Sequence, residues 1–318
     1  MSESIATLAN PAGRLFTPGR LSIGLNLPLV RSGQRVVNVA AQRALARRAD
    51  AAGFRALWVR DVPLNSPDYP DPVGHLDPWS WLGALAVETR QAVLVSGAIV
   101  LPLRHPLHIA KAAASVAVLS EGRFVLGLGA GDRPGEFAAF GREIGERRRR
   151  FAEHWERVAL ALGEPSTVVP DRHETETPTF RLEPQPPSSV PLLAVGSGGQ
   201  SVNWIARHAI GWMTYHREPG QQRDRYRLWR TAVERSVPGE FRAFGEAMRL
   251  ALETDPDAPA APISLGYRSG RHALVGELSR LREMGVHHVS LNLELDERPA
   301  EAVIDELAAH VLPHFHSP

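Results

Sequence analysis

No cysteine occurs anywhere in the 318 residues, which excludes disulfides, thiol catalysis and cysteine-ligated zinc or iron–sulfur centres. Lysine is almost as scarce: Lys111 is the only one, so a catalytic lysine is excluded nearly everywhere and basicity rests on arginine. No apolar run reaches the roughly 18 residues that a membrane helix needs. Met1–Pro18 lacks the basic start and apolar stretch of a secretion signal. The expectation is a soluble, cytoplasmic protein without a membrane partner. A charge excess of one sign is missing as well. With 36 basic against 35 acidic side chains the net charge is +1, which argues against a dedicated nucleic-acid surface. The 13 histidines include no HExxH and no tight cluster with Asp or Glu, so metal catalysis has no support.

What is present is ordinary globular composition, 43% hydrophobic, in a chain long enough to bury a core unaided. Short apolar runs alternate with segments of helical period. The runs are Leu21–Leu27, Ala56–Arg60, Ala92–Leu101, Arg123–Leu128, Leu192–Val195, Gly211–Tyr215, Ala247–Leu252 and His288–Leu293. Helices are predicted over Val39–Ala52, Trp79–Val87, Leu107–Leu119, Arg147–Leu162, Val202–His208, Gln221–Ser236, Ala273–Met284 and Pro299–Val311. Asp77 and Pro78 supply an N-cap and first-turn proline to the second, and Gly53 stops the first. Glu164–Pro191 reads as an excursion or a small hairpin, and Asp255–Pro262 as a proline-rich loop. Eight strands alternating with helices imply a parallel sheet with helical crossovers. In this length they favour a closed α/β barrel of the (β/α)8, or TIM, type over an open Rossmann sheet. The whole chain, residues 1–318, is expected to be one domain, with about the first 18 residues as an extension.

In such a barrel chemistry sits where strands end. After the fourth strand, Gly127-Leu128-Gly129-Ala130-Gly131-Asp132-Arg133-Pro134 offers either close backbone approach to a ligand or a flexible turn. After the fifth, Gly196-Ser197-Gly198-Gly199-Gln200-Ser201 leads into a helix. Its N–H groups and two serine hydroxyls suit a phosphate, the alternative being an N-capped connection. Gly97 inside the third strand marks a bulge or a close approach. Arg60-Asp61 after the second strand is a salt bridge or a polar site. Tyr215-His216-Arg217 after the sixth gathers potential proton donors and anion binders. The run Arg147–Arg150 lacks interleaved aromatics and reads as a solvated or interface-facing helix start rather than a nucleic-acid patch.

Together these stretches resemble the luciferase-like flavin-dependent monooxygenases. The resemblance runs through Ala49-Asp50-Ala51-Ala52-Gly53-Phe54, Asp77-Pro78-Trp79, Gly97–Pro106, Leu119–Gly131, Glu136-Phe137, Phe140-Gly141, Gly196-Ser197 and Leu281–Val286. It implies a barrel that binds FMN, or as second choice F420, at the strand carboxyl ends, commonly as a homodimer. By resemblance, Gly97–Ala98 would be a non-prolyl cis peptide against the isoalloxazine ring, and Gly129 and Gly131 would line the cofactor. Ser197, Gly198, Gly199 and Ser201 would hold its phosphate, with Tyr215 also at the cofactor. A small-molecule substrate is implied, with a separate flavin reductase to supply reduced FMN.

Two departures stand out. Many oxygen-activating members carry an imidazole motif after the second strand, where this chain has Arg60-Asp61-Val62-Pro63. The arginine usual near Ala130 is also missing, and Arg133 would substitute from a shifted position. His216, Arg60 and Asp61 are therefore the candidates for the chemistry. The main expectation is monooxygenation with reduced FMN and O2, with F420- or flavin-dependent hydride transfer as the alternative. A non-catalytic flavin-binding barrel is the competing class. Asn65–Asp77 and Asp255–Arg271 are expected to set substrate specificity.

Overall fold

The computed structural model describes residues 10–31, 33–65, 71, 73–168, 180–295 and 298–316. Along the chain these form α1 (Pro11–Leu15), β1 (Ser22–Leu27), α2 (Val39–Ala51), β2 (Ala56–Val59), α3 (Pro78–Glu88), β3 (Val93–Ser96) and β4 (Ile99–Val100). Then follow α4 (Pro106–Leu119), β5 (Phe124–Gly129), α5 (Pro134–Ala139), α6 (Arg147–Ala161), β6 (Leu192–Val195), α7 (Val202–His208) and β7 (Gly211–Tyr215). The chain continues with α8 (Pro219–Ser236), β8 (Ala243–Leu252), β9 (Ala261–Ile263), β10 (Gly266–Ser269), α9 (Arg271–Met284), β11 (His288–Leu293) and α10 (Ala300–His310). Among the described residues no helix is long and apolar enough to cross a membrane.

Strands β1, β2, β3, β5, β6, β7, β8 and β11 pair in parallel in that order, and β11 pairs with both β8 and β1. The expected eight-stranded parallel barrel is closed. Strand alternation divides its core into two layers. Leu57, Leu94, Leu126, Trp212 and Phe244 face the helices. Ala56, Trp58, Val95, Val125, Leu193, Met213 and Ala243 fill the barrel itself. Leu15 and Phe16, within the segment read as an extension, join this inner set and plug the amino-terminal end.

Strand β8 starts four residues before the expected Ala247, because Gly245 and the buried Glu246 interrupt the apolar pattern that the sequence offers. Within Asp255–Arg271, β9 and β10 form an antiparallel hairpin, and β10 extends alongside the second half of β8. Strands of three and four residues are too short to show a period. Residues 169–179 of the Glu164–Pro191 excursion lie outside the described residues. The described remainder of that segment forms no helix or strand.

Two residues of the family-like stretches are scaffold. Asp50 accepts the N–H groups of Arg90, Gln91 and Ala92 at 2.6–2.9 Å. Arg123 donates to the carbonyls of Ala86, Thr89 and Ala92 at 2.8–3.0 Å, fixing the end of α3 to the start of β3.

Two buried histidines, His287 and His288, and the part-buried His316 hold backbone or indole donors. The indole of Trp58 donates to His288 Nε2 (2.9 Å), and His288 Nδ1 meets Ser22 Oγ at 2.6 Å. Ile23 N–H donates to His316 Nε2 (2.9 Å) and Phe244 N–H to His287 Nδ1 (3.1 Å). Each accepting nitrogen must be unprotonated. Burial drives His288 down to about 3, and His287 and His316 to about 4. All three fold as neutral rings, whereas the unfolded chain protonates them near pH 6.5. Their contribution is therefore intact above pH 6.5 and is lost as the pH falls towards 3–4. The slope reaches about 1.4 kcal/mol per pH unit for each ring. Thermal midpoints should hold from pH 8 to 7 and drop steadily between pH 6 and 4.5. A flat profile there would show that the rings are charged in the fold.

Candidate active site

At the carboxyl end of the barrel β3 and β5 separate. Leu94 and Val95 pair with Phe124 and Val125, and pairing resumes in β4 with Ile99 and Val100 opposite Leu128 and Gly129. Three residues thus face two, and the Gly97–Ala98 peptide within this bulge is cis, as the resemblance implies. Ser96 Oγ fills the gap, donating to the Gly127 carbonyl and accepting its N–H, both at 2.9 Å. Glycine is required by close approach. A Cβ on Gly97 would lie 2.6 Å from the Trp58 ring, and one on Gly129 would lie 3.0 Å from Ala98 Cβ. The structure therefore brings Gly97, Ala98 and Gly129 together. Gly131 joins them beside Val100 and Phe137.

Arg60 and Asp61 do not pair with each other, contrary to the sequence reading. Asp61 is buried and accepts Val100 N–H (3.0 Å) and the Arg104 guanidinium (2.8 and 3.2 Å), leaving it no opening to act on a substrate. Its place is beneath the bulge. Arg60 turns instead to Asp71, at 2.7 Å. Asp71 also meets His75 Nε2 (3.2 Å) and Arg133 (3.1 Å). Burial alone would raise the Asp71 carboxyl. The hydrogen bond from His75 and the Arg60 charge outweigh it and hold the group well below the carboxylate range. Arg133 is thus committed to the loop after β2 through Asp71 and the Leu64 carbonyl (3.3 Å), and it lies 3.6 Å from Glu136 of α5. Glu136 accepts Leu64 N–H, and burial raises its carboxyl despite that bond and Arg133. The sequence reading missed Asp71, His75 and Arg104. The one signal was Asp71 four residues before His75, in a loop assigned to specificity.

After β6, Gly196, Gly198 and Gly199 all adopt positive φ (58–73°), a conformation that favours glycine. Ser197 Oγ accepts Gly199 N–H (3.3 Å), and Ser201 Oγ accepts Trp204 N–H (3.2 Å) as the cap of α7. The Ser197, Gly198 and Ser201 N–H groups have no acceptor within the described residues. The loop packs on the start of α6, where a Cβ on Gly198 would meet Phe151 at 2.6 Å.

Tyr215 follows Met213 on the inward face of β7 and is 59% exposed at the barrel end. His216 goes the other way. Its Nδ1 bonds Glu246 Oε1 at 2.7 Å, Gln222 donates to the other oxygen, and Tyr267 packs edge-on at 5.0 Å. Glu246 shares the helix-facing side of β8 with Phe244 and Met248. The structure thus puts His216 behind the sheet, away from Gly97–Ala98, which corrects the reading of it as a catalytic base.

The luciferase-like monooxygenase family pattern matches residues 16–272. The chain belongs to this family. A relative within reach of sequence comparison is the F420-dependent hydroxymycolic acid dehydrogenase of Mycobacterium tuberculosis. It is 30% identical over 212 residues, covering 65% of this chain but only 57% of that protein. The 4-hydroxyprotoasukamycin monooxygenase of Streptomyces nodosus subsp. asukaensis is 31% identical over 156 residues, 46% of this chain and 39% of that one. Among solved structures, an F420-dependent secondary alcohol dehydrogenase superposes with a TM-score of 0.74 at 18% identity, over 94% of this chain and all of the other. That likeness speaks for the luciferase-like fold.

The residues present fit the cofactor class implied by this luciferase-like family. The bulge offers a flat backbone edge made only of small residues, and the loop after β6 offers three unspent N–H donors and the Ser197 hydroxyl.

Proposed function

We propose that the protein is an oxidoreductase that binds FMN at the carboxyl end of its barrel and acts, with O2, on a small organic molecule. The observation that carries this reading is the pairing of two features on one barrel end. The cis Gly97–Ala98 edge lies against Gly129, and two strand positions away the 196–201 loop has its N–H groups unspent. When bound, the cofactor ring would supply the redox chemistry. Gly97, Ala98, Gly129 and Gly131 would seat the ring, with Tyr215 closing the open side. Ser197, Gly198, Gly199 and Ser201 would hold the phosphate. Glu136, protonated more readily because of burial, would be the proton donor. A separate reductase would deliver reduced FMN, and the working form would be a cytoplasmic homodimer, to be tested by light scattering against the 34.8 kDa chain mass.

A second reading is F420-dependent hydride transfer without oxygen insertion. Arg60 standing where oxygen-activating members carry imidazole favours it, as does the mycobacterial relative named as F420-dependent. Following reduced FMN and reduced F420 with and without oxygen separates the two. Oxygen-dependent consumption favours the first, oxygen-independent turnover of F420 the second, and stoichiometric binding without turnover a binding barrel. In the same titrations Ser197→Ala should weaken FMN by about 1.5–3 kcal/mol, the value of a hydrogen bond to a charged group. Riboflavin, which lacks the phosphate, should be unaffected. Equal weakening of both would make the loop merely structural.

A further inference from the structure

Helix α6 opens with four consecutive arginines, and the structure uses them differently. Arg149 bonds Glu146 (3.1 Å) and Glu153 (2.8 Å), and Arg150 bonds Glu146 (2.8 Å). Arg147 is half-buried with its guanidinium 3.5 Å from the Gly131 carbonyl. Among the described residues, Arg148 alone of the four has neither a carboxylate nor a carbonyl partner for its guanidinium. Its stem lies along the loop after β6: a Cβ on Gly199 would sit 3.2 Å from both Cβ and Cγ of Arg148. The Arg148 carbonyl accepts Gln200 Nε2 at 2.8 Å, tying its backbone to the same loop.

We propose that Arg148 supplies the formal positive charge for the phosphate ester held by the Gly196–Ser201 loop. The inference rests on the cofactor reading above and adds a residue to it. The loop itself brings only neutral dipoles, the N–H groups and the serine hydroxyl, and α7 is a helix of seven residues. A phosphate monoester carries between one and two negative charges near neutral pH, which a guanidinium would offset with a formal charge that the loop's dipoles lack. Lys111, the chain's only lysine, is engaged with the Glu183 carbonyl. Arg133 is engaged with Asp71. Guanidinium is suited to the task, because its planar fork meets two phosphate oxygens at once. The glycine at 199 has a second use on this account, since the absent side chain leaves the arginine stem room to lie flat against the loop.

The charge of the ester makes the proposal testable by binding alone. FMN is a phosphate monoester, F420 a diester whose phosphate carries one charge apart from the carboxylates of its tail, and riboflavin carries no phosphate. Wild type, Arg148→Ala, Arg148→Lys and Arg149→Ala are titrated with each by fluorescence quenching at low and high salt. Arg148→Ala should weaken FMN at least tenfold and F420 by a smaller factor, leave riboflavin within twofold, and flatten the salt dependence of FMN binding. Arg148→Lys should recover part of the loss. Arg149→Ala, which removes the same charge from the same helix turn, should leave all three ligands within twofold. Arg148→Ala within twofold of wild type for FMN and F420 overturns the proposal, and so does equal weakening of riboflavin and FMN. If wild type binds none of the three, the cofactor reading fails and the proposal falls with it. Thermal melts identical to wild type show that the exposed substitution has not unfolded the chain.

Discussion

Asp61→Ala should lose about 2–4 kcal/mol of folding stability and weaken cofactor binding with it. The carboxylate is buried and has three donors: Val100 N–H and two atoms of the Arg104 guanidinium. Removing it strands a buried backbone N–H, at about 1–3 kcal/mol, and removes the counter-ion of Arg104. The figure stays below that for a fully buried pair because the Arg104 side chain is 27% exposed and has Asp77 within 3.8 Å. Urea unfolding should show a lower midpoint at unchanged slope. Asp61→Asn should lose less, since its amide oxygen still accepts from Val100. A loss below 1 kcal/mol for the alanine variant would mean that Asp61 does not buttress the bulge.

The second large effect is expected at His216. Its replacement by alanine strips Glu246 of its imidazole partner in a fully buried position, leaving only Gln222. Breaking one side of such a pair costs about 3–5 kcal/mol. The turnover per folded molecule should stay within a few fold of wild type. A general base would show a loss of about 10²–10⁴-fold with stability held, and that outcome would return His216 to the chemistry. Replacing both partners together, as His216→Leu with Glu246→Leu, should recover much of the stability, because no buried carboxylate then lacks a partner. Failure of the double variant to improve on the single one would show that the pair is not the source of the loss.

The contrast between these residues shows where sequence is informative. The eight strands were legible because strands of a parallel barrel, covered on both faces, read as apolar runs bounded by helices. Gly97 and Gly129 were legible because a glycine inside such a run signals close approach. The partners of charged residues were not. Asp61 finds Arg104 from 43 positions away and Arg60 finds Asp71 from 11, so adjacency of Arg60 and Asp61 said nothing about who pairs. His216 illustrates a signal left unused. Strand alternation from Trp212, which faces the helices, already sends every second residue outward, His216 included. Nor does a stretch shared with a family say whether a residue serves chemistry or scaffold. Asp50 and Arg123 lie in such stretches and bind the end of α3 and the start of β3, Asp50 through backbone N–H groups and Arg123 through carbonyls and the Thr89 hydroxyl.

The pairing of β1 with β11 has a consequence for how the fold is reached. Ser22 lies opposite His288, and Ile23 N–H is held by His316, so the seam joins residues 266 and 293 positions apart. The β1–β2, β2–β3 and later neighbours are joined by connections of at most 62 residues, the span 130–191 between β5 and β6, and can assemble more locally. The seam cannot form until both ends of this long separation are present. Folding of this chain should accordingly be slow for its stability, with a late step in which an open, curved sheet closes on itself. Until then β1 and β11 are exposed edges whose unpaired N–H and C=O groups can join to another copy. The plug of Leu15 and Phe16, which packs against the inside of the finished wall, belongs to the same late event.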